Sequence, residues 1–450
     1  MTLTLRRRYV RHMFCALLPR IATGLPCIAF LSLTASCSTS QRLSGNTRPV
    51  LEANRSILTS RNEPAQFSWG EGISAGSSLT PDHAVALGLL NNPDFQAALG
   101  DLGISQADIV KAGELTNPSL GLLLPHNTSA LEFTAKLPVE ALWLRPRRIK
   151  AARLDADAVA LKLTQGGVDL ARDVKLACHA VELARTKRAR AKESATIFHQ
   201  ISDLAGAQFR AGETGELEAS QATADALVAR QEELRLQYEY DLAMQQLRGL
   251  LGLSASKENI TLKPLPSPRL KAPAPVGRLV EEALINRPDV RAAEMAVEAA
   301  AAKAKLAPAE MVALSAGLKT TEGAGTQASF DATLPVLNQN QGGRAVANAQ
   351  LEKAVRMLNA ARNHAATEVR RAHLQVKAAQ NVMAGWTRIM PELDNSLKLA
   401  MRSVELGNSP QLATLDSARR VADARSKYAE SEARLRDAWA ELDRAGGRVK

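Results

Sequence analysis

A chain of 450 residues, 46% hydrophobic and 23% charged, has room for several domains and is neither a disordered polymer nor a polytopic helical membrane protein. Its four cysteines exclude a disulfide scaffold and any cysteine-rich zinc module. The formal net charge is +11, but Arg6, Arg7, Arg8, Arg11 and Arg20 belong to an expected export signal, and the +6 left without them is no nucleic-acid footprint.

Residues 1–20 are basic, and 21–36 form a mostly apolar run ending in small residues, the pattern of a secretory signal rather than a membrane span. The end of that run resembles a bacterial lipobox, which makes 1–36 a lipoprotein-type signal peptide and Cys37 the lipidated first residue of the mature chain. Thr34 departs from the usual Leu, Val or Ile of that motif, so an ordinary cleaved signal is the alternative. Residues 37–78, rich in Ser, Asn, Gly and Arg, read as a tether. Cys178 is then the one free thiol of the body.

Two segments follow, 79–265 and 276–446, joined by a Pro-rich linker at 266–275. They repeat at an almost fixed offset. Asn91-Asn92-Pro93-Asp94 matches Asn286-Arg287-Pro288-Asp289 at 195, Leu137-Pro138-Val139 matches Leu334-Pro335-Val336 at 197, and Gly212 matches Gly407 at 195. Each segment predicts a short helix, an Asn-x-Pro-Asp corner, a second helix, two short strands, a very long helix from about Pro146 in the first segment, a glycine turn, and a helix about half as long returning. In the second long helix apolar or small residues recur at spacings of four and three from Leu351 through Val369, Val376 and Met383 to Val404, a coiled-coil seam of more than seven heptads. Leu163, Leu170, Val174, Ala177, Val181 and Ala184 are its counterpart in the first. Pro391 is expected to bend the second long helix.

The strands alternate. Leu131, Phe133, Ala135 and Leu137 interleave with Glu132, Thr134 and Lys136; Ala328, Phe330, Ala332 and Leu334 interleave with Ser329, Asp331 and Thr333. Their expected partners are 120–124 and 312–319. Four strands cannot close a barrel, so a membrane barrel requires several chains. Two soluble hairpins capping a helical body are the alternative, and eight residues is short of the ~9–11 of an ordinary spanning strand.

The two Asn-x-Pro-Asp corners, the Leu-Pro-Val closures, the glycine turns and Leu415-Asp416-Ser417-Ala418 resemble the outer-membrane efflux protein family of TolC-like outer-membrane factors, over residues 79–445. The stretch 334–342, Leu-Pro-Val-Leu-Asn-Gln-Asn-Gln-Gly, is similar to its heavy-metal cation-efflux branch. The resemblance implies a mainly α fold with a small β part: tandem coiled-coil hairpins and four antiparallel strands per protomer, closing as a homotrimer into an α-barrel and an outer-membrane β-barrel. It implies a passive channel, not an enzyme, that stands in outer-membrane lipid and conducts substrate, metal cations favoured, from a periplasmic adaptor and an inner-membrane pump of the resistance-nodulation-division type. Carried onto this chain, Gly212, Thr214, Leu217, Gly407, Asn408 and Leu412 form the periplasmic tip that meets the adaptor, Glu216 and Asp416 a possible pore gate, and Leu131, Phe133, Leu137, Phe330 and Leu334 the barrel strands.

Glu213 and Glu216 are also ordinary helix-start residues that complement a dipole. Arg145, Arg147, Arg148 and Lys150 suit either anionic headgroups or a solvated helix start. The histidines lack the helical spacing of a metal site, and no phosphate loop or nucleophile elbow occurs, so neither metal nor cofactor is expected. A periplasmic adaptor or a non-conducting coiled-coil lipoprotein is the competing class; adaptors carry one helical hairpin among β-rich domains, whereas two are expected here.

Overall fold

The computed structural model describes residues 78–124, 130–254, 260–268, 270–311, 313–333, 335–405 and 411–448, with Trp69 and Gly76. The expected leader, Cys37 and most of the tether lie outside the described residues, as do Leu334, Gly407 and Asn408.

The chain opens with a two-residue strand β1 (Ser78–Leu79), then α1 (Pro81–Asn91) and α2 (Pro93–Ala112). Thr80 caps α1 by accepting from the backbone N–H of His83 at 3.2 Å, and Pro81 fits its first turn, where no N–H is needed. Strands β2 (Ser119–Leu123) and β3 (Glu132–Pro138) lead into α3 (Glu140–Arg210), and α4 (Glu216–Leu250) returns. Strand β4 (Thr261–Leu262) pairs in parallel with β1, fastening the end of the first repeat to its start. The second repeat runs α5 (Val276–Asn286), α6 (Pro288–Leu306), β5 (Leu314–Thr321), β6 (Gly325–Ala332), α7 (Gln341–Glu405) and α8 (Gln411–Ala445). Apart from the β1–β4 pair, the succession of longer elements is therefore the same twice.

Helix α3 has 71 residues, about 107 Å at 1.5 Å per residue, whereas α4 and α8 have 35 each. It begins at Glu140, not at Pro146: the backbone N–H of Val139 still bonds Leu314 O at 2.8 Å in the sheet, and the helix starts on the next residue. Pro146, in the second turn of α3, lies inside the helix and costs it the one bond that its missing N–H would have made. Helix α7 likewise continues through Pro391.

The long helices form a layer. α3 packs on α4 and α8, α8 packs on α7, and α6 fills the space between α3 and α7. This leaves α4 and α7 at the edges. The seam of α3 is buried at Leu163, Val174, Ala177, Val181 and Ala184, as is that of α7 at Ala365, Val369, Ala372, Val376, Met383 and Leu397. The α7 seam does not bury over its whole expected length: Val355 is 42% exposed, because the start of α7 rises along an edge with no described helix beyond it. Separate apolar clusters sit inside each repeat, Leu79, Leu87, Val174, Val181, Leu247 and Leu251 in the first and Leu279, Ala283, Val369, Val376 and Leu442 in the second.

Candidate functional site

The four longer strands make one antiparallel sheet in the order β2-β3-β5-β6, so the repeats join at β3–β5. Register sorts every side chain. Rungs such as Leu120–Ala135–Leu318–Ala328 and Leu137–Ala316–Phe330 form one face; Gly121–Thr134–Lys319–Gln327 and Lys136–Gly317–Ser329 form the other. Among the described residues nothing covers the apolar face: Leu120, Leu122, Phe133, Leu137, Leu318 and Phe330 are all exposed, Phe330 by 84%. Observed strands are shifted slightly from the expected ones, β5 by two residues, because the turn is confined to three residues at 322–324 with Gly323 and Gly325 at positive φ. Leu131 stands just before β3 and bonds through its carbonyl to Glu322 N at 2.9 Å.

Among the described residues, both sheet edges, β2 and β6, are unpaired. The helical layer ends the same way. Edge helix α4 exposes Leu227, Val228, Tyr238 and Leu242, and edge helix α7 exposes Val346, Met357, Leu374 and Leu399. One chain thus leaves large apolar groups in water along both flanks, the mark of a surface built for another protein surface.

At the far end of α3 the chain turns through Ala211–Gly215. Gly212 has φ +78, and Glu213 N reaches back to Gln208 O at 2.9 Å, a left-handed helix stop. Leu217 is 72% exposed. Thr214 is half-buried and its Oγ1 has no hydrogen-bond partner among the described residues. Glu216 is the first residue of α4 and exposed. In the second hairpin Leu412 is in the first turn of α8, and Asp416 lies in its second turn rather than at its start. Asp416 pairs with Arg420 on the same helix at 2.8 Å. The structure therefore does not join Glu216 and Asp416 within one chain.

What it does join is the two hairpins. Phe198 of α3, Leu397 of α7 and Ala418 and Val421 of α8 form an apolar cluster flanked by Ala226 and Ala229 of α4. Arg419 of α8 pairs with Asp225 of α4, and Arg425 of α8 donates to Glu193 of α3 and Asp394 of α7, both at 3.0 Å.

A second charged group lies midway along the molecule. Arg287, 2% exposed, bonds Asp289 at 2.6 Å, Glu368 at 2.7 Å and the Ala445 carbonyl at 3.2 Å. Arg444 adds Asp169 at 2.7 Å and Glu368 at 3.1 Å, and Arg172 meets Glu441 at 2.7 Å. Against its burial, those carboxylates hold the Arg287 guanidinium firmly protonated. Position x of each Asn-x-Pro-Asp corner is the N-cap, Asn92 in the first and Arg287 in the second, because it precedes a Pro at the first helical position. Nearby, the ring of His179 meets Asp437 at 2.8 Å beside an open groove of about 390 Å³ lined by Lys175, Lys271, Arg436 and Trp439. Below the sheet, Arg145 donates to Gly113 O at 2.7 Å and Arg148 meets Glu310 at 3.4 Å, so both serve the loops under the strands.

Cys178 is buried, and burial pushes its thiol up to about 12, which makes it a packing residue. Among the described residues no group of three or more His, Cys, Asp or Glu side chains is placed to hold a metal ion, and no helix is long and apolar enough to cross a membrane.

No curated protein matches the chain by sequence. Among solved structures, CusC, from a study of folding and transmembrane channel formation, is similar at a TM-score of 0.68 and 20% identity, over 86% of this chain and 98% of that one. The outer-membrane channel OprN is similar at 0.69 and 19%, over 82% and 90%. The outer membrane protein VceC of Vibrio cholerae is similar at 0.67 and 17%, over 82% and 96%. These likenesses fix the fold. The model for outer membrane efflux proteins matches twice, at residues 85–253 and 279–448, one match to each repeat. The chain belongs to the outer membrane efflux protein family, a channel component of the outer membrane that extends into the periplasm and not an enzyme.

Proposed function

We propose that three copies of this chain close into one conduit, twelve strands around the outer-membrane pore and twelve long helices around a periplasmic tunnel, forming the exit duct of a tripartite efflux system. The observation that carries this reading is that sheet and helical layer end in matching open edges, β2 with α4 on one flank and β6 with α7 on the other. Unpaired strand edges and apolar flanks are stable only when covered, and a threefold ring covers each with its opposite. The uncovered apolar sheet face is then the lipid-facing band.

In this arrangement the tip residues Gly212, Thr214, Leu217, Gly407, Asn408 and Leu412 meet a periplasmic adaptor, which links the duct to an inner-membrane pump of the resistance-nodulation-division type. Glu216 and Asp416, separate within one chain, approach one another only around the ring, where they form the gate. Cys37 carries the lipid anchor, and residues 1–36 are the signal that delivers it. The likeness of 334–342 to the heavy-metal branch favours metal cations as cargo.

Detergent-extracted protein is expected to run as a trimer and to conduct in planar bilayers; a soluble periplasmic monomer overturns the reading. Replacing Asp416 by Ala is expected to change single-channel cation currents while leaving the trimer intact, and unchanged currents remove it from the gate. Growth of a deletion strain across metals and antibiotics tests the cargo: sensitivity confined to antibiotics refutes cations.

A further inference from the structure

The strands carry four charged side chains, Glu132, Lys136, Lys319 and Asp331, and the register puts all four on the polar face and none on the apolar one. They are paired. Lys319 Nζ lies 2.8 Å from Glu132 on the neighbouring strand, and Lys136 Nζ lies 3.1 Å from Asp331. The second pair is unusual in reach, because Lys136 is on β3 and Asp331 on β6, with β5 between them. Residue 317 is what allows it. Gly317 sits on the rung between Lys136 and Ser329, and a Cβ there would stand 2.7 Å from Ser329 Oγ, 3.2 Å from Ala135 O and 3.5 Å from Lys136 Cγ. The stem of Lys136 crosses over the place where a side chain would be.

Along the strands the charges fall in a fixed order. Asp331 shares the rung of Pro138 at the helix end of the sheet, Lys136 and Lys319 occupy the middle rungs, and Glu132 stands at the far end. Successive same-face rungs are about 7 Å apart, within a Debye length at moderate salt.

Resting on the trimeric-channel reading, we propose that these four residues are the charge-setting groups of the β-barrel pore: two rings of lysine in the middle, each cancelled by a ring of carboxylates toward an end. The strand section then carries no net charge and passes small ions of either sign, so any preference for cations is imposed at the periplasmic tip and not at the membrane. Rings of like charge govern ion preference where a pore is lined by them, and cancellation removes that effect. Gly317 is the residue that keeps the pore cancelled, by leaving Lys136 free to reach Asp331.

The test is the reversal potential of reconstituted trimers in a KCl gradient. Asp331→Asn uncovers three lysines and is expected to shift the chloride-to-potassium permeability ratio upward by about twofold. Lys136→Gln uncovers three aspartates and shifts it the other way. The double variant Lys136→Gln/Asp331→Asn returns to the wild-type value. Glu132→Gln and Lys319→Gln form an independent second set with the same signs, and each single shift shrinks in 1 M salt, where screening acts within about 3 Å. Single variants that conduct with the wild-type reversal potential, or a double variant shifted as far as a single one, overturn this inference alone. Wild-type trimers that carry no current overturn the channel reading beneath it.

Discussion

The two corners at which the repeats turn from one helix to the next occupy equivalent places and are built with different chemistry. In the first, Asn92 does two jobs: its Oδ1 accepts from Phe95 N at 2.9 Å, capping α2, and its Nδ2 donates to Leu250 O at 3.1 Å, holding the end of the returning helix. In the second, the jobs are divided. Asp289 Oδ1 accepts from Val290 N at 2.8 Å, and Arg287 donates to Ala445 O at 3.2 Å. Phe95 and Val290, Leu250 and Ala445, Asn92 and Arg287 are all 195 positions apart. A glycine closes each corner: Gly252 at φ +71 against Asn91, Gly447 at φ +67 against Arg287. What the duplication preserved is the pair of unsatisfied helix-end groups that have to be met, while the side chains meeting them changed from a neutral amide to a charged set.

That difference sets the order of expected damage. Arg287→Ala breaks the second corner most severely, because it strips a buried cation from Asp289 and Glu368; a loss of about 3 kcal/mol is expected, seen as lowered resistance to chemical denaturation. Arg287→Asn/Glu368→Gln puts the first corner's neutral amide in the second without leaving Glu368 charged, and recovers most of that loss. Next is Gly252→Ala, whose new Cβ would collide with the Asn91 carbonyl oxygen in a backbone region that disfavours side chains; about 2 kcal/mol is expected. Gly447→Ala costs less, since its Cβ meets Arg287 atoms no closer than 3.1 Å. Asn92→Ala removes one cap and one neutral tie, about 1 kcal/mol. An Asn92→Ala loss equal to that of Arg287→Ala would erase the contrast between the corners.

The duplication itself could be read from residue spacing, as could the seams, since burial at Val174, Val181, Val369 and Val376 follows directly from a three-and-four rhythm. The remaining burial along α3 could not. Ala158, Leu161, Val168, Ala171 and Cys178 are buried off the seam because α3 alone touches α2, α4, α6 and α8, and that central place is a property of the assembled layer. Alternation announced the two faces of the sheet, but not Lys136 reaching across β5, which depends on the glycine paired with it on that neighbouring strand. The partners of Arg287, 81 and 158 residues distant, leave no local trace either.

At the far end of the hairpins the same contrast returns at smaller scale. Arg230, in the first repeat, pairs with Glu233 on its own helix, while Arg425, 195 positions on, leaves its helix to bridge Glu193 and Asp394. Burial raises the Glu193 carboxyl, but hydrogen bonds from Arg190 and Arg425 and their charges outweigh it and hold the group below its ordinary 4.5. A carboxyl depressed by folding adds stability above its unfolded pKa and forfeits it as pH falls through the folded value. The bridge is therefore expected to survive mild acid and to open only below pH 4.5. Resistance to chemical denaturation reports it: the contribution of Glu193 should stay constant from pH 7 to 5 and fall below 4.5. In Arg425→Ala, whose exposed pairs are worth about 1 kcal/mol or less, the change should begin at higher pH, because Glu193 loses one of the two cations that depress it. Arg230→Ala should leave the profile where it was. If both variants shift it equally, the second hairpin has no special hold on the first.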